Sequence, residues 1–155
     1  MLPTDNVYGG WPRSGEIDIV EVRGNDDLTC NNAKLGNSHM GSTLHFGPSF
    51  SQNMYHKTSW SKYRVIIPLD SSHRNDLFLL RFFRTLHSGT FSSDFHIYAL
   101  EWLPTGITFK VDGEVIGSVS PPDGGFWEFS GLSGDNPWAS GTNMAPFDQR
   151  VQSKG

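Results

Sequence analysis

The sequence predicts an all-β protein, and three observations carry that prediction. Short runs alternate apolar with charged or polar side chains, as Glu16-Ile17-Asp18-Ile19 does, which is the period-two pattern of half-buried strands. Asp112-Gly113 separates two such runs by two residues, the strongest short-range hairpin signal a sequence offers. The chain is also rich in turn residues, with 17 Gly and 9 Pro. No window shows helical periodicity beyond about two turns, apart from an ambiguous Leu77–Phe83. At 155 residues the length suits one domain, and the pattern alone gives a β-sandwich.

Taken in order, residues 1–15 read as a Pro/Gly-rich loop feeding a first strand, Glu16–Val22. Gly24–Asn37 is polar and turn-like, with Asn31-Asn32 and Gly36 as breakers. Ser42–Phe46 is a second predicted strand, closed by Gly47-Pro48. Phe95–Trp102 is a third. Ile107–Val111 and Glu114–Val119 form the hairpin about Asp112-Gly113. Pro121 to Gly125 is a loop that cannot sit in a central strand.

Composition narrows the function. A net charge of −4 argues against nucleic acid as a partner. No apolar run reaches the ~18 residues of a membrane span, so no membrane partner is expected. Cys30 is the single cysteine, which rules out a disulfide within the chain. The six His show no His-x-x-x-His pair and no Cys partner, so neither zinc nor any other cofactor is expected. Aromatic residues are plentiful (Phe 11, Trp 5, Tyr 4). They serve a core, and their ring faces also pack on the C–H surfaces of pyranose sugars.

The strand Glu16–Val22 carries the chemistry. Glu16, Asp18 and Glu21 stand among Ile17, Ile19 and Val20. Glu16 and Asp18 share one face, whereas strict alternation sends Glu21 to the apolar face, a poor place for a charge. One extra residue inserted as a β-bulge near Ile19-Val20 returns Glu21 to the side of the other two. Three acids on one face repel each other, and such proximity separates an ionised from a protonated carboxyl, the pair that glycoside hydrolysis uses.

Trp11-Pro12-Arg13-Ser14-Gly15-Glu16-Ile17-Asp18-Ile19-Val20-Glu21 resembles the signature of family-16 glycoside hydrolases, in the laminarinase branch with its Glu-x-Asp-x-x-Glu. Further blocks resemble the invertebrate β-1,3-glucanases and β-1,3-glucan-binding proteins. They are Gly41–Gly47, Asp94–Trp102, Gly124–Phe129, Asn136–Ala139 and Met144–Gln149, and together the blocks span about residues 1–62 and 85–149 in order. The resemblance implies a jelly-roll sandwich of the concanavalin A-like type and endo-hydrolysis of β-1,3-glucan with retention. The alternative it leaves open is a glucan-recognition protein of innate immunity that does no chemistry.

By the same resemblance Glu16 is the nucleophile, Glu21 the acid/base, and Asp18 the group that hydrogen-bonds a neighbouring carboxylate. Trp11 is either a hydrophobic plug under its loop or a stacking platform beside the cleaved bond, and the resemblance favours the platform. His45 matches a cleft-facing position. Arg23 and Asn25 follow the catalytic strand and are candidates for sugar hydroxyls, with a plain loop role equally open. Trp102 and Trp127 read as core, Trp138 as a residue that could line a cleft, and His96 has a face that alternation does not fix. Family members include some with structural calcium, at positions largely outside this chain. The resemblance further implies a secreted, monomeric parent with β-1,3-glucan as its partner.

The chain is expected to be an incomplete domain, since the family has strands before Met1 and after Gln149. Residues 150–155 diverge from the pattern. Residues 63–84 match nothing in it, and residues 57–84 hold six of the twelve Lys and Arg. A translated intron, a real surface insertion and a membrane- or partner-binding hairpin are the readings for that segment.

Overall fold

A computed structural model of the chain describes residues 1–30, 33–63, 89–140 and 146–147. All of the atypical segment 63–84 except Tyr63, including the ambiguous Leu77–Phe83, and the tail 150–155 lie outside the described residues. Among the described residues eight strands follow in chain order: β1 (Glu16–Val22), β2 (Thr29–Cys30), β3 (Ala33–Lys34), β4 (His39–His45), β5 (Ser59–Tyr63), β6 (Tyr98–Leu103), β7 (Gly106–Val111) and β8 (Glu114–Val119). The 3₁₀ turns Phe50–Gln52 and Tyr55–Lys57 lie between β4 and β5, and a short helix, α1 (Gly125–Ser130), follows β8. The sheets have the orders β1-β4-β5, β2-β3 and β6-β7-β8.

The chain divides into two compact units. The first comprises Met1–Ile19, Ser42–Trp60 and Ile97–Gly155, and the second Val20–Gly41 and Ser61–His96. The first unit is a β-sandwich. Ile17 of β1 and Leu44 of β4 share one core with Ile107 and Phe109 of β7 and Val119 of β8. Phe46, Phe126 and Phe147 join that core edge to face, with ring centroids 5.0–6.4 Å apart. Such offset aromatic packing adds to the area they bury. The alternating burial of β7, with Ile107, Phe109 and Val111 inward, is what period two demands of a strand with one wet face.

The β7–β8 hairpin turns where the sequence places it. Val111 pairs with Glu114, and Asp112 and Gly113 both take positive φ, 51° and 81°, the conformation a tight two-residue turn requires. Strand limits elsewhere shift. β4 begins at His39, ahead of the expected Ser42. β6 begins at Tyr98, after the expected Phe95: Phe95 is fully exposed, its N–H is taken by the Asp94 carboxylate, and the N–H of Ile97 by Asp112. Side chains that capture backbone donors in this way displace a ladder. The predicted loop after Pro121 ends in α1, with Gly131 in the left-handed conformation at its C-terminus. β5 and the β2–β3 hairpin are additions to the expected elements.

In the second unit Asn37 is the organiser. It is buried, its N–H bonds Asn25 O at 2.7 Å, its carbonyl accepts from Phe91 N at 2.7 Å, and its amide donates to Asp26 at 2.7 Å. Among the described residues no helix is long and apolar enough to cross a membrane.

Candidate active site

The site lies in the first unit, on the faces of β1 and β4 that point away from the core. Ile17 is buried in the core, so its neighbours Glu16 and Asp18 project to the opposite face, where both are half-buried. Leu44 and Phe46 are fully buried, and the same rule sends His45 between them to that face. The outcome is a close group: His45 Nε2 lies 3.1 Å from Asp18 Oδ2.

The loop before β1 brings in Trp11. Pro12 is buried beneath it and follows a cis peptide bond. Arg13 N bonds Gly10 O and Gly15 N bonds Pro12 O, each at 3.0 Å. Ser14 Oγ donates to Gly9 O at 2.6 Å and accepts from Tyr8 N at 3.1 Å. Underneath, the indole N–H of Trp138 donates to Arg13 O at 2.9 Å. Held in this way, Trp11 donates its own indole N–H to Glu16 Oε2 at 2.7 Å. Indole is a donor only, and the bond is charge-assisted when Glu16 carries its negative charge.

Trp138 is fully buried and does not line a cleft, which corrects the sequence expectation. The role of plug under the loop, held open for Trp11, is filled by Trp138, and Trp11 is 39% exposed. Trp102 and Trp127 pack on the core, with Trp102 donating to Phe147 O at 2.6 Å.

Beyond the carboxylates runs a strip of rings. Trp11 lies 5.5 Å from His45 and 5.6 Å from Phe50 between centroids, and His45 stacks on Tyr55 at 5.6 Å and 28°. Phe50 and Tyr55, from the two 3₁₀ turns, are 79% and 49% exposed. An exposed Phe costs solvation unless something covers it. Asn53 sits between those turns and bonds His45 Nδ1 at 2.8 Å. Nothing in the pattern between Gly47-Pro48 and Trp60 had marked Phe50, Asn53 or Tyr55.

Glu21, Arg23 and Asn25 fall in the second unit, and all three are exposed. Burial stops alternating after Asp18, with Ile19 half-buried and Val20 to Val22 exposed, in the stretch where a bulge is expected. The backbone of Asn25 serves Asn37. Arg23 acts on His39, whose pKa is lowered below 6.5 first by burial and second by the Arg23 charge. His96 rests its ring against Phe91 at 5.5 Å.

Among the described residues Glu16, Asp18 and His45 offer donor atoms within 4.8 Å of one another, a spacing a cation could bridge. Glu16 and Asp18 are already engaged by Trp11 and His45, and we assign no metal there. Two carboxylates on one wet strand face, a donor-only indole on one of them and a row of rings alongside form a surface able to stack a sugar and present it with an anionic oxygen.

No family model matches the chain. A β-1,3-glucan-binding protein of Penaeus monodon is 40% identical over 152 residues, covering 97% of this chain and 34% of that protein. β-1,3-glucan-binding protein 2 of Manduca sexta is 40% identical over 154 residues, covering 97% and 25%. Glucan endo-1,3-β-glucosidase A1 of Niallia circulans is 30% identical over 149 residues, covering 96% and 16%. The chain therefore spans about a third or less of the length of these relatives. The chain is a homologue of the β-1,3-glucan-binding proteins and glucan endo-1,3-β-glucosidases, and it fits the laminarinase-like branch of glycoside hydrolase family 16.

Proposed function

We propose that the chain carries the nucleophile strand of an endo-acting β-1,3-glucan hydrolase that retains anomeric configuration. The observation that supports this reading most is the Glu16 carboxylate, set on a half-buried strand face with the Trp11 N–H on one of its oxygens and exposed rings beside it. In the proposed reaction Glu16 attacks the anomeric carbon and the bond to the leaving glucosyl oxygen breaks. Glu21 gives that oxygen its proton. Water then attacks the glycosyl–Glu16 ester, gives up a proton to Glu21, and frees Glu16. This route requires Glu21 about 5–5.5 Å from Glu16, and Asp18 to hydrogen-bond within the carboxylate group. Arg23 and Asn25 are proposed to contact sugar hydroxyls.

Coverage of a third or less of each relative supports treating residues 1–155 as part of a longer protein, which we propose to be secreted and monomeric and to use no cofactor in the reaction. The test completes the chain with the flanking segments of the Penaeus monodon relative and follows laminarin by proton NMR. The first product should keep the β configuration. Glu16→Gln should abolish turnover and leave glucan binding in place. An inverted first product would sink the role given to Glu16.

A second reading, glucan recognition without chemistry, is favoured by one observation: glucan-binding proteins match nearly the whole chain at 40% identity. Tight laminarin binding with no turnover in the completed, unmutated domain would decide for it.

A further inference from the structure

We propose that Asn53 is a positioning residue that fixes the tautomer of His45 and so aims an N–H at Asp18. The argument starts from the orientation of the Asn53 amide. Its Oδ1 accepts the backbone N–H of Tyr55 at 3.2 Å. With the oxygen committed there, the amide presents its NH2 to His45 Nδ1 at 2.8 Å. An amide nitrogen donates and cannot accept, so Nδ1 must offer its lone pair. A neutral imidazole carries one ring proton, and that proton is then on Nε2. Nε2 lies 3.1 Å from Asp18 Oδ2, where the N–H meets a carboxylate oxygen. The other tautomer sets N–H against N–H at Asn53 and lone pair against carboxylate at Asp18.

Tyr55 secures both ends of this arrangement. Its backbone orients the amide, and its ring stacks on the imidazole at 28°. Trp11 closes on the same imidazole at 5.5 Å. A local feature, the junction Asn53–Tyr55 where the first 3₁₀ turn passes into the second, thereby sets a hydrogen bond on the strand face that holds Glu16. Its importance for turnover rests on the hydrolytic reading above, whereas the tautomer itself does not.

The test is a two-bond proton–nitrogen correlation on the 155-residue chain with 15N-labelled histidine, at a pH where the ring is neutral. His45 should show a protonated Nε2 and a bare Nδ1. Asn53→Asp keeps an acceptor for the Tyr55 N–H but offers Nδ1 an oxygen, so Nδ1 should no longer be held bare and should carry a proton in part or all of the population. In the completed domain the same substitution should lower kcat on laminarin about tenfold or more with KM little changed, as misdirected imidazoles do elsewhere. That loss should vanish when His45→Ala is already present. A wild-type ring protonated on Nδ1 overturns the proposal without any variant being needed. So does an Asn53→Asp ring whose Nδ1 stays bare, while a protonated Nδ1 with unchanged kcat overturns the part the tautomer plays in turnover. If the unmutated domain never turns over laminarin, the hydrolytic reading falls and the nitrogen spectrum still decides this one.

Discussion

Trp11 joins two properties that a single substitution can separate. Its ring belongs to the exposed strip with Phe50 and His45, and its N–H serves Glu16. Trp11→Phe keeps a ring and removes the donor. A hydrogen bond to a charged group is worth about 1.5–3 kcal/mol, so kcat on laminarin should fall roughly ten- to hundredfold while KM moves far less. A KM effect alone would mean that stacking is its whole contribution. Period-two alternation put Glu16 and Asp18 on one face, opposite Ile17, whereas His45 was singled out only through the family resemblance. Asn53 and Phe50 were not legible in the sequence, because 3₁₀ turns have no repeating pattern and their partners come from β4 and the first loop. Trp138 misled for a related reason: its neighbours Asn136 and Pro137 look like a surface loop, but its indole finds the half-buried carbonyl of Arg13.

At the scale of elements, the β7–β8 hairpin shows how directly a turn can be read. Gly113 has φ of 81° and nothing within 4 Å of a built Cβ, so Gly113→Ala meets no clash and the cost is conformational. It should destabilise by about 1–2 kcal/mol, measured as a lower urea midpoint with unchanged slope. β5 and the β2–β3 hairpin were not legible because strands this short depend on their neighbours more than on their own residues. β4 carries a separate prediction through His39. Its folded pKa lies below the ordinary 6.5, so below pH 6.5 the unfolded chain binds a proton that the folded chain declines. Stability should be full above pH 6.5 and fall as pH drops from there toward the folded value. Urea melts at pH 7.5 and 5.5 should show that decline shrinking in His39→Gln. An equal decline in both proteins would remove His39 as its source.

For the molecule as a whole, the sandwich followed from alternation and turn spacing, whereas strand order had to come from the structure, since pairing across the chain leaves no local trace. The shared core depends on a few large residues, and Trp138 is the largest that is fully buried. Trp138→Ala should cost about 3–5 kcal/mol against the roughly 5–15 kcal/mol that holds a domain together, enough to bring the thermal transition close to ambient temperature. An unchanged melting temperature would contradict its place in the core. The contrast between Trp138, at 0% exposure, and Trp11, at 39%, also gives the molecule a built-in optical reporter. Acrylamide should quench Trp11 most, the half-buried Trp60, Trp102 and Trp127 in part, and the blue-shifted emission of Trp138 least. A glucan lying across the strip should shield the first alone, so titrating laminarin against quenching measures occupancy of the cleft in a protein that needs no dye and no turnover.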